Sequence, residues 1–250
     1  MNLNGNTIFI TGGGSGIGRG LAEALYKLGN KVIISGRRKG HLDETTKANP
    51  GMQSIELNIE DPSSIETVAK KLIADFPELN VLINNAGIMQ VDDAAGVVDE
   101  RLLTSTVTTN VLGPIRVTSA LIEHLKKQKT ATILYNTSVL AFVPLALTAV
   151  YSATKAALHS YVLSQRYKLK DTSVRVVEIA PPWVQTDLLN SKEEPRAMPL
   201  ADFIRETIEA LGKDTDEALV KSVVPLRSNP GPNEDVFITQ FNDMMLQPQV

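Results

Sequence analysis

A short apolar run that breaks into a glycine-rich loop most constrains what this chain can fold into. Residues 6–11 read Asn-Thr-Ile-Phe-Ile-Thr, and residues 12–18 continue Gly-Gly-Gly-Ser-Gly-Ile-Gly before the helical pattern of residues 21–25. A strand, a glycine loop and a helix in this order bring backbone N–H groups and the helix dipole to one point, where they bind phosphate. The glycines alone would also suit a flexible turn. The apolar run at 32–34 supplies a second strand, which favours a phosphate-binding βαβ unit.

The alternation of strand-like and helix-like patterns continues along the chain. We expect further strands at 54–58, 80–84, 130–138 and 173–179, and helices after Asp61 and over 100–125, 149–169 and 200–211. The pattern over 100–125 breaks near Gly113-Pro114, which predicts two consecutive helices with Asn110 at their junction. Strands that alternate with helices form a parallel sheet. The predicted fold is α/β, a doubly wound parallel sheet of the Rossmann type, as a single domain over residues 1–250 with a small C-terminal helical substrate flap at about 186–215.

Composition restricts the class of protein. With 25 Lys and Arg against 28 Asp and Glu, the net charge of -3 argues against a dedicated nucleic-acid surface. The absence of cysteine excludes disulfides and thiol nucleophiles, and the three histidines lack metal-ligand spacing, so we predict no metal. No apolar run approaches the roughly 20 residues of a membrane span, and the first residues lack a secretory pattern. We therefore expect a cytoplasmic protein with neither a membrane nor a nucleic-acid partner.

A tyrosine and a lysine lie four positions apart in the helix predicted over 149–169. Tyr151 and Lys155 share one face of that helix, so the lysine ammonium can favour the phenolate of the tyrosine. Ser138 ends the preceding predicted strand, and strand carboxyl ends meet at one edge of a parallel sheet. The Tyr-x-x-x-Lys pair occurs often by chance, so its weight depends on the serine and the glycine loop. Together they predict proton transfer at an oxygen whose carbon exchanges a hydride with a bound cofactor.

The residues after the second strand indicate which dinucleotide fits. NAD sites carry an acid near this point for the ribose 2′-hydroxyl, whereas residues 35–39 read Ser-Gly-Arg-Arg-Lys and no acid precedes Asp43. Arg37 and Arg38 would suit a 2′-phosphate, which predicts NADP(H) as the cofactor. The alternative interpretation is a solvated charged segment at the start of a helix.

The joint pattern resembles the single-domain short-chain dehydrogenase/reductase family. The motifs Thr-Gly-x-x-x-Gly-x-Gly at 11–18, Asn-Asn-Ala-Gly at 84–87 and Tyr-x-x-x-Lys at 151–155 follow its order and spacing. Three single positions also match, namely Asn110, Ser138 and Pro181. The resemblance covers roughly residues 6–186. Within the family, the chain is most similar to bacterial reductases related to the oxidoreductase of the D-alanyl-lipoteichoic acid operon.

The resemblance implies a role for each matching residue. Tyr151 would be the general acid or base, while Lys155 would lower the pKa of Tyr151 and hold the nicotinamide ribose. Ser138 would stabilise the substrate oxygen, and Asn110 would anchor a water that links Lys155 to solvent. The implied cofactor-binding residues are Gly12, Ser15, Ile17, Arg37, Arg38, Asn58, Ile59, Asn85, Gly87, Tyr151, Lys155, Pro181, Val184 and Thr186.

The chain departs from the family pattern in three places. Asn58 replaces an aspartate that binds the adenine amino group, and its side-chain carbonyl would accept in that role beside the Ile59 backbone. Pro182 replaces a glycine and stiffens the turn into the substrate loop. The tail offers residues 217–220 instead of the glycine-rich last strand that many tetrameric relatives use. We therefore expect a homo-oligomer and leave open whether it is a dimer or a tetramer.

Apolar residues after the strands suggest the substrate class. The predicted substrate pocket contains Val139, Leu140, Leu145, Trp183 and Leu188, although each one singly would also suit the core. The resulting hypothesis is an NADPH-dependent carbonyl reductase or alcohol dehydrogenase for a hydrophobic ketone, aldehyde or secondary alcohol. An NAD-linked alcohol dehydrogenase of the same fold is one alternative. A non-catalytic dinucleotide-binding regulator is another, although such a protein needs no activated phenol.

Overall fold

Seven parallel strands form the sheet in the computed structural model, which describes residues 2–228 and 231–246. The strands are β1 Thr7–Thr11, β2 Lys31–Gly36, β3 Gln53–Glu56, β4 Leu79–Asn84, β5 Ala131–Asn136, β6 Val174–Ile179 and β7 Glu217–Ala218. Their order is β3-β2-β1-β4-β5-β6-β7, and every neighbouring pair is parallel. The order reverses between β1 and β4, where a crevice opens at the carboxyl ends of the strands. The doubly wound α/β fold and the single domain are therefore confirmed.

Helices cover both faces of the sheet. In the described residues they are α1 Gly16–Lys27, α2 Lys39–Ala48, α3 Pro62–Asp75, α4 Glu100–Val107, α5 Gly113–Leu125, α6 Ala149–Leu169, α7 Leu200–Leu211, α8 Val224–Arg227 and α9 Glu234–Leu246. In β1, Ile8 and Ile10 pack in the core under α1 and α7, whereas Phe9 packs in the core under α3, α5 and α6. This alternation follows from the two-residue period of a strand and explains the continuous apolar runs of the buried strands.

The segment over 100–125 contains two consecutive helices, as the sequence predicted. A π-helical turn over Thr108–Leu112 joins α4 to α5, so the helical path continues through their junction. Pro114 has no N–H to direct at the carbonyl of Asn110, so an α-helical bond cannot form there and the wider turn replaces it. Asn110 lies inside this π turn, at the junction of the two helices as predicted.

The tail adds an element that the sequence pattern did not predict. The predicted flap consists of an irregular segment up to Pro199 and then α7, and the helix predicted over 200–211 is observed with those bounds. Beyond it, α9 packs Phe237, Phe241 and Met245 on the core at intervals of four residues. None of the helices in the described part of the chain is long and apolar enough to cross a membrane.

Candidate active site

The glycine loop between β1 and α1 forms a backbone cradle. Gly12 has a φ of +69°, and a Cβ at this position would lie 2.9 Å from the Cα of Ala86. A Cβ at Gly18 would lie 2.2 Å from the carbonyl oxygen of Gly12. Such distances are shorter than atoms tolerate, so only glycine permits this close approach. The cradle at the start of α1 fits the pyrophosphate of a dinucleotide.

Asn85 ties the cradle to the neighbouring strand ends. Its Nδ2 donates to the backbone oxygen of Thr11 at 3.0 Å, and its Oδ1 accepts from Nδ2 of Asn136 at 2.8 Å. The Thr11 hydroxyl accepts from the backbone N–H groups of Asn85 and Ala86 at 3.0 and 3.1 Å. Both ends of the Asn85 amide thus bind protein. This residue shapes the floor of the site.

One cleft of about 1220 Å³ lies at the carboxyl ends of the strands. Nearly all predicted site residues line it: Gly12, Ser15, Ile17, Arg37, Arg38, Ile59, Asn85, Gly87, Ser138, Val139, Leu140, Leu145, Tyr151, Lys155, Pro181, Trp183, Val184, Thr186 and Leu188. Two predicted residues, Asn58 and Asn110, are not among its lining residues. A volume of this size accommodates a dinucleotide together with a small substrate. The sheet topology thus brings together residues that lie far apart in the sequence.

The side chain of Asn58 is engaged in a local turn. Its Oδ1 accepts from the backbone N–H of Glu60 at 3.2 Å, and the residue is exposed. Ile59, by contrast, is buried and lines the cleft. Ile59 is thus placed on the cleft wall and Asn58 in the turn beside it, and the adenine contact expected of the two residues stays a prediction.

Asn110 holds the loop that follows β4. Its Oδ1 accepts from the backbone N–H of Ile88 at 2.9 Å, and its Nδ2 donates to the Ile88 carbonyl at 2.8 Å. Nδ2 also lies 3.1 Å from the hydroxyl of Thr154 on α6. The π turn thus aims one amide at both backbone groups of a single residue. Asn110 positions the strand-end loop from behind the cleft.

Tyr151 and Ser138 meet at the centre of the cleft. Ser138 follows β5, and its hydroxyl oxygen accepts from the backbone N–H of Leu140 at 3.1 Å. Burial raises the pKa of Tyr151 to about 12, while a hydrogen bond with Ser138 acts in the opposite direction. The direction is opposite to the lowering that we expected from Lys155, because desolvation outweighs the hydrogen bond. In this environment Tyr151 is a protonated phenol at neutral pH and can act as a proton donor.

Lys155 lies on the next turn of α6 and is buried. Its Nζ donates to the backbone oxygen of Asn136 at 2.9 Å and lies 5.4 Å from the ring centroid of Tyr151. Burial lowers the pKa of Lys155 to about 8, and the carboxylate of Glu178 opposes that shift. A group that titrates near neutral pH can both hold a proton and release it.

The two arginines after β2 have different partners. Arg37 donates to Oε1 of Glu60 at 2.8 Å in an exposed ion pair. Arg38 donates to the hydroxyl of Ser15 in the glycine loop at 3.0 Å. Both line the cleft, so each is placed to meet the adenosine side of a dinucleotide. Arg37 is already neutralised by Glu60, whereas Arg38 has no carboxylate partner among the ion pairs of the described residues.

Residues of the tail close the apolar end of the cleft. Sequence reasoning did not include Leu226, Phe241, Met244 and Met245, which line the cleft beside Trp183. The guanidinium of Arg196 lies 4.9 Å from the Trp183 ring centroid and donates to the Met245 carbonyl at 3.4 Å. The four-residue apolar spacing in the tail was the available signal for α9, but nothing local shows where that helix packs.

Asn242 attaches α9 to the loop before α6. Its Nδ2 donates to the Pro144 carbonyl at 3.0 Å, and its Oδ1 accepts from the backbone N–H of Ala146. Leu145, between these two residues, lines the cleft. The tail helix and the substrate loop therefore form one wall. Within the part of the chain that the structure describes, no group of three or more His, Asp or Glu side chains could hold a metal ion.

The chain is similar to known proteins in both sequence and fold. The model of the short chain dehydrogenase family matches residues 6–197. The uncharacterized oxidoreductase DltE of Bacillus subtilis (strain 168) is 36% identical over 248 residues, which cover 97% of this chain and 98% of that protein. A short-chain dehydrogenase from Burkholderia cenocepacia J2315 in complex with NADP superposes with a TM-score of 0.82 at 24% identity, over 99% of this chain and 100% of that one. A short-chain dehydrogenase/reductase from Burkholderia phymatum in complex with NAD gives 0.84 at 18% identity, over 95% and 96%.

Proposed function

The chain belongs to the short-chain dehydrogenase family, and we propose that it is an NADPH-dependent carbonyl reductase that also works in reverse as an alcohol dehydrogenase. One observation carries this proposal. The hydroxyls of Tyr151 and Ser138 and the ammonium of Lys155 open into the same cleft as the glycine cradle. A proton donor and a dinucleotide site in one cleft suit exchange of a hydride and a proton at one carbon–oxygen bond.

The residues of the cleft would hold the dinucleotide along the strand ends. Gly12, Ser15 and Ile17 would contact its pyrophosphate at the start of α1, where backbone N–H groups are free to donate. Val184 and Thr186 also line the cleft and would meet the carboxamide end. A bound nicotinamide supplies the hydride for reduction or accepts it for oxidation.

The protein's own part in the reaction is proton transfer and charge stabilisation. Ser138 donates a hydrogen bond to the substrate oxygen, where negative charge develops as the carbonyl is reduced. Tyr151 delivers its phenolic proton to that oxygen, and Lys155 stabilises the phenolate that results. In the direction of oxidation, the phenolate takes the proton of the alcohol. Lys155 can replace the proton on Tyr151 because its own pKa is lowered to about 8.

The lining of the apolar end of the cleft supports a hydrophobic substrate. Predicted pocket residues Leu140, Leu145 and Trp183 lie there with Phe241 and Met245 from the tail. Aliphatic and aromatic walls favour an apolar carbonyl substituent, since its transfer from water releases about 25 cal/mol for each Å² buried. We therefore infer that the substrates are hydrophobic ketones and aldehydes, or the corresponding secondary alcohols.

NADP(H) is the proposed cofactor because Arg38 lies beside the glycine loop without a carboxylate partner among the described ion pairs. The ion pair between Arg37 and Glu60 favours a second candidate, an NAD-linked alcohol dehydrogenase of the same fold. Glu60 would then serve the ribose hydroxyls in place of the acid that NAD sites usually carry.

The decisive test is oxidation of NADPH by purified protein across a panel of aryl and alkyl ketones and aldehydes, with NADH in parallel. We expect turnover with NADPH and a loss of about 10²- to 10⁴-fold in Tyr151→Phe, because that variant lacks the acid. Tyr167→Phe is the matched control, since Tyr167 lies on the same helix and its ring is exposed to solvent. Binding of NADPH without turnover of any carbonyl would favour the non-catalytic regulator instead.

Four further properties stay predictions. They are a small-molecule carbonyl or alcohol as the partner, the absence of nucleic-acid and membrane partners, assembly as a homo-oligomer, either dimer or tetramer, and a cytoplasmic location.

A further inference from the structure

A buried carboxylate lies behind the candidate active site, and the proton-transfer scheme above does not use it. Glu178 in β6 is 0% exposed. Its Oε1 accepts from the hydroxyl of Thr137 at 2.6 Å, and its Oε2 lies 2.8 Å from Nδ1 of His159. When Glu178 is ionised its oxygens only accept hydrogen bonds, and Nδ1 of His159 is then the donor in this contact. Burying a carboxylate costs folding free energy unless hydrogen bonds or opposite charges compensate it, so the neighbours of Glu178 indicate its role.

The neighbours of Glu178 connect it to the cleft residues. Asn136, Thr137 and Ser138 are consecutive at the end of β5. The first accepts from Lys155, the second donates to Glu178, and the third hydrogen-bonds with Tyr151. Three adjacent residues therefore join the tyrosine, the lysine and the glutamate. Lys155 and His159 are also four residues apart on α6, so they lie on the same side of the helix, where one contacts β5 and the other β6.

We propose that Glu178 is a positioning residue, whose buried negative charge keeps Lys155 in its ammonium form and directed at the carbonyl of Asn136. The inference rests on the proposed function only where the Lys155 proton is said to serve catalysis, since the contacts around Glu178 exist without any substrate. The carboxylate of Glu178 raises the pKa of Lys155, against the lowering caused by burial. Glu178 is the carboxylate that acts on Lys155 from the neighbouring strand.

Another charged group close to Glu178 forms its own ion pair. Glu217 lies opposite Glu178 in the register of β6 and β7, and both of its carboxylate oxygens accept from Arg227 at 2.9 Å. Arg227 is also attracted electrostatically to Glu178, and Arg166 is attracted to Glu217. Tyr135 lies opposite Glu178 in the register of β5 and β6, and its hydroxyl lies 2.8 Å from Oε1 of Gln165. His159, Lys155 and the phenol of Tyr151 are the further titratable groups on the side of α6.

The first test needs no substrate. The free energy of unfolding is measured by urea denaturation over a pH series, for the wild-type protein and Lys155→Met and for the same pair carrying Glu178→Gln. The measured quantity is the free energy of unfolding of the wild-type protein minus that of Lys155→Met. It is lowest at pH values where Lys155 is charged in both the folded and unfolded states. It becomes more favourable as pH rises through the folded pKa, because the unfolded chain then binds more protons.

With Glu178→Gln we expect this rise to begin at a pH lower by about one unit, since an opposing charge at close range shifts a pKa by roughly that much. Glutamine keeps the shape of the side chain and an acceptor for Thr137, so the fold is retained. Glu217→Gln removes the same charge one strand away and is expected to leave the midpoint unchanged. An unaltered midpoint in Glu178→Gln, or an equal shift in both variants, would overturn the inference.

The second test is the pH profile of carbonyl reduction. The part of the rate profile that follows the titration of Lys155 should move to lower pH in Glu178→Gln, by the same amount as the midpoint in the unfolding experiment. If the protein turns over no carbonyl, the proposed function is wrong, and the unfolding experiment alone tests the role of Glu178. A purely structural role would lower the stability of the protein without moving either pH midpoint.

Discussion

The ammonium nitrogen of Lys155 lies 2.9 Å from the backbone carbonyl oxygen of Asn136, the last residue of β5. This bond brings a cation into the base of the cleft with 4% of the lysine exposed. Desolvation disfavours the charged form, which is why the pKa of Lys155 falls from 10.5 to about 8. Lys155 therefore lowers the stability of the folded protein at neutral pH.

Lys155→Met should stabilise the folded protein at pH 7. The folded pKa is below the unfolded one, so wild-type protein carries the full penalty below pH 8 and loses it as pH rises towards 10.5. A shift of this size corresponds to roughly 3 kcal/mol, which bounds the expected gain. Urea denaturation at pH 7 and at pH 10 measures it. Lys168→Met, at an exposed position of the same helix, should show no such pH dependence; equal behaviour of the two variants would contradict the prediction.

Arg38→Ala should weaken NADPH binding by about tenfold or more and leave NADH binding unchanged. A hydrogen bond to a charged group contributes about 1.5–3 kcal/mol, and a 2′-phosphate is present only in NADPH. Fluorescence titration with each dinucleotide measures both affinities. Equal losses for NADPH and NADH would show that Arg38 does not read the 2′-phosphate.

Glu60→Gln should strengthen NADPH binding, because it removes the carboxylate that pairs with Arg37 at 2.8 Å. The amide can still accept from the hydroxyl of Thr109, which lies 3.1 Å from Oε1, so the local structure is retained. The same titration is used, with Glu44→Gln as a control in which an exposed carboxylate paired with Arg19 is changed. A loss of NADH affinity without a gain for NADPH would instead favour Glu60 as the ribose-binding acid of an NAD enzyme.

Asn110→Ala should destabilise the protein by about 1–3 kcal/mol for each backbone group of Ile88 that loses its partner in a buried position. Asn110→Asp should cost at least as much, since the carboxylate oxygen that replaces Nδ2 faces the Ile88 carbonyl oxygen as a second acceptor in a buried position. Chemical denaturation ranks the two variants against the wild-type protein. If both variants matched wild-type stability, Asn110 would not be the anchor of the loop after β4.

Asn242→Ala should raise KM for bulky hydrophobic ketones several-fold and leave small ketones unaffected. The substitution removes both hydrogen bonds that join α9 to the loop around Leu145, so that wall of the cleft loses its attachment. Steady-state kinetics on a ketone series of increasing size measures the effect. Asp243→Ala changes the exposed neighbouring residue and should be neutral. A uniform increase in KM across the series would contradict a role in substrate size.

Much of the fold follows from local pattern in the sequence. The helix expected over 149–169 is α6 with those bounds, and the glycine loop lies between β1 and α1 as expected. Both depend on apolar periods and glycine positions that a short window contains. Two helices meet before Gly113-Pro114 as expected, but the sequence did not predict that a π turn joins them without a break in the helical path. A proline marks a disturbed hydrogen bond but does not specify which turn replaces it.

The chemistry of the site depended more on long-range contacts. Motif spacing places Ser138, Tyr151 and Lys155 at one edge of the sheet, and the structure has them in one cleft. The pKa values of the tyrosine and the lysine are set by burial, which a residue's neighbours in the chain do not reveal. The side chain of Asn58 illustrates the same limit, because its bond with the Glu60 backbone N–H is not evident from the sequence.

The sequence by itself determined the order of strands and helices up to α7, the glycine cradle and the identity of the groups that can move a proton. These follow from backbone freedom, apolar periodicity and side-chain chemistry, which belong to each residue and its near neighbours. The tertiary structure alone decided that Glu178 lies behind Lys155, that Glu60 pairs with Arg37, and that a helix 96 residues beyond Ala146 forms the far wall of the cleft. Those relationships arise when distant segments pack together and exclude water, so their charges and hydrogen bonds depend on the completed fold.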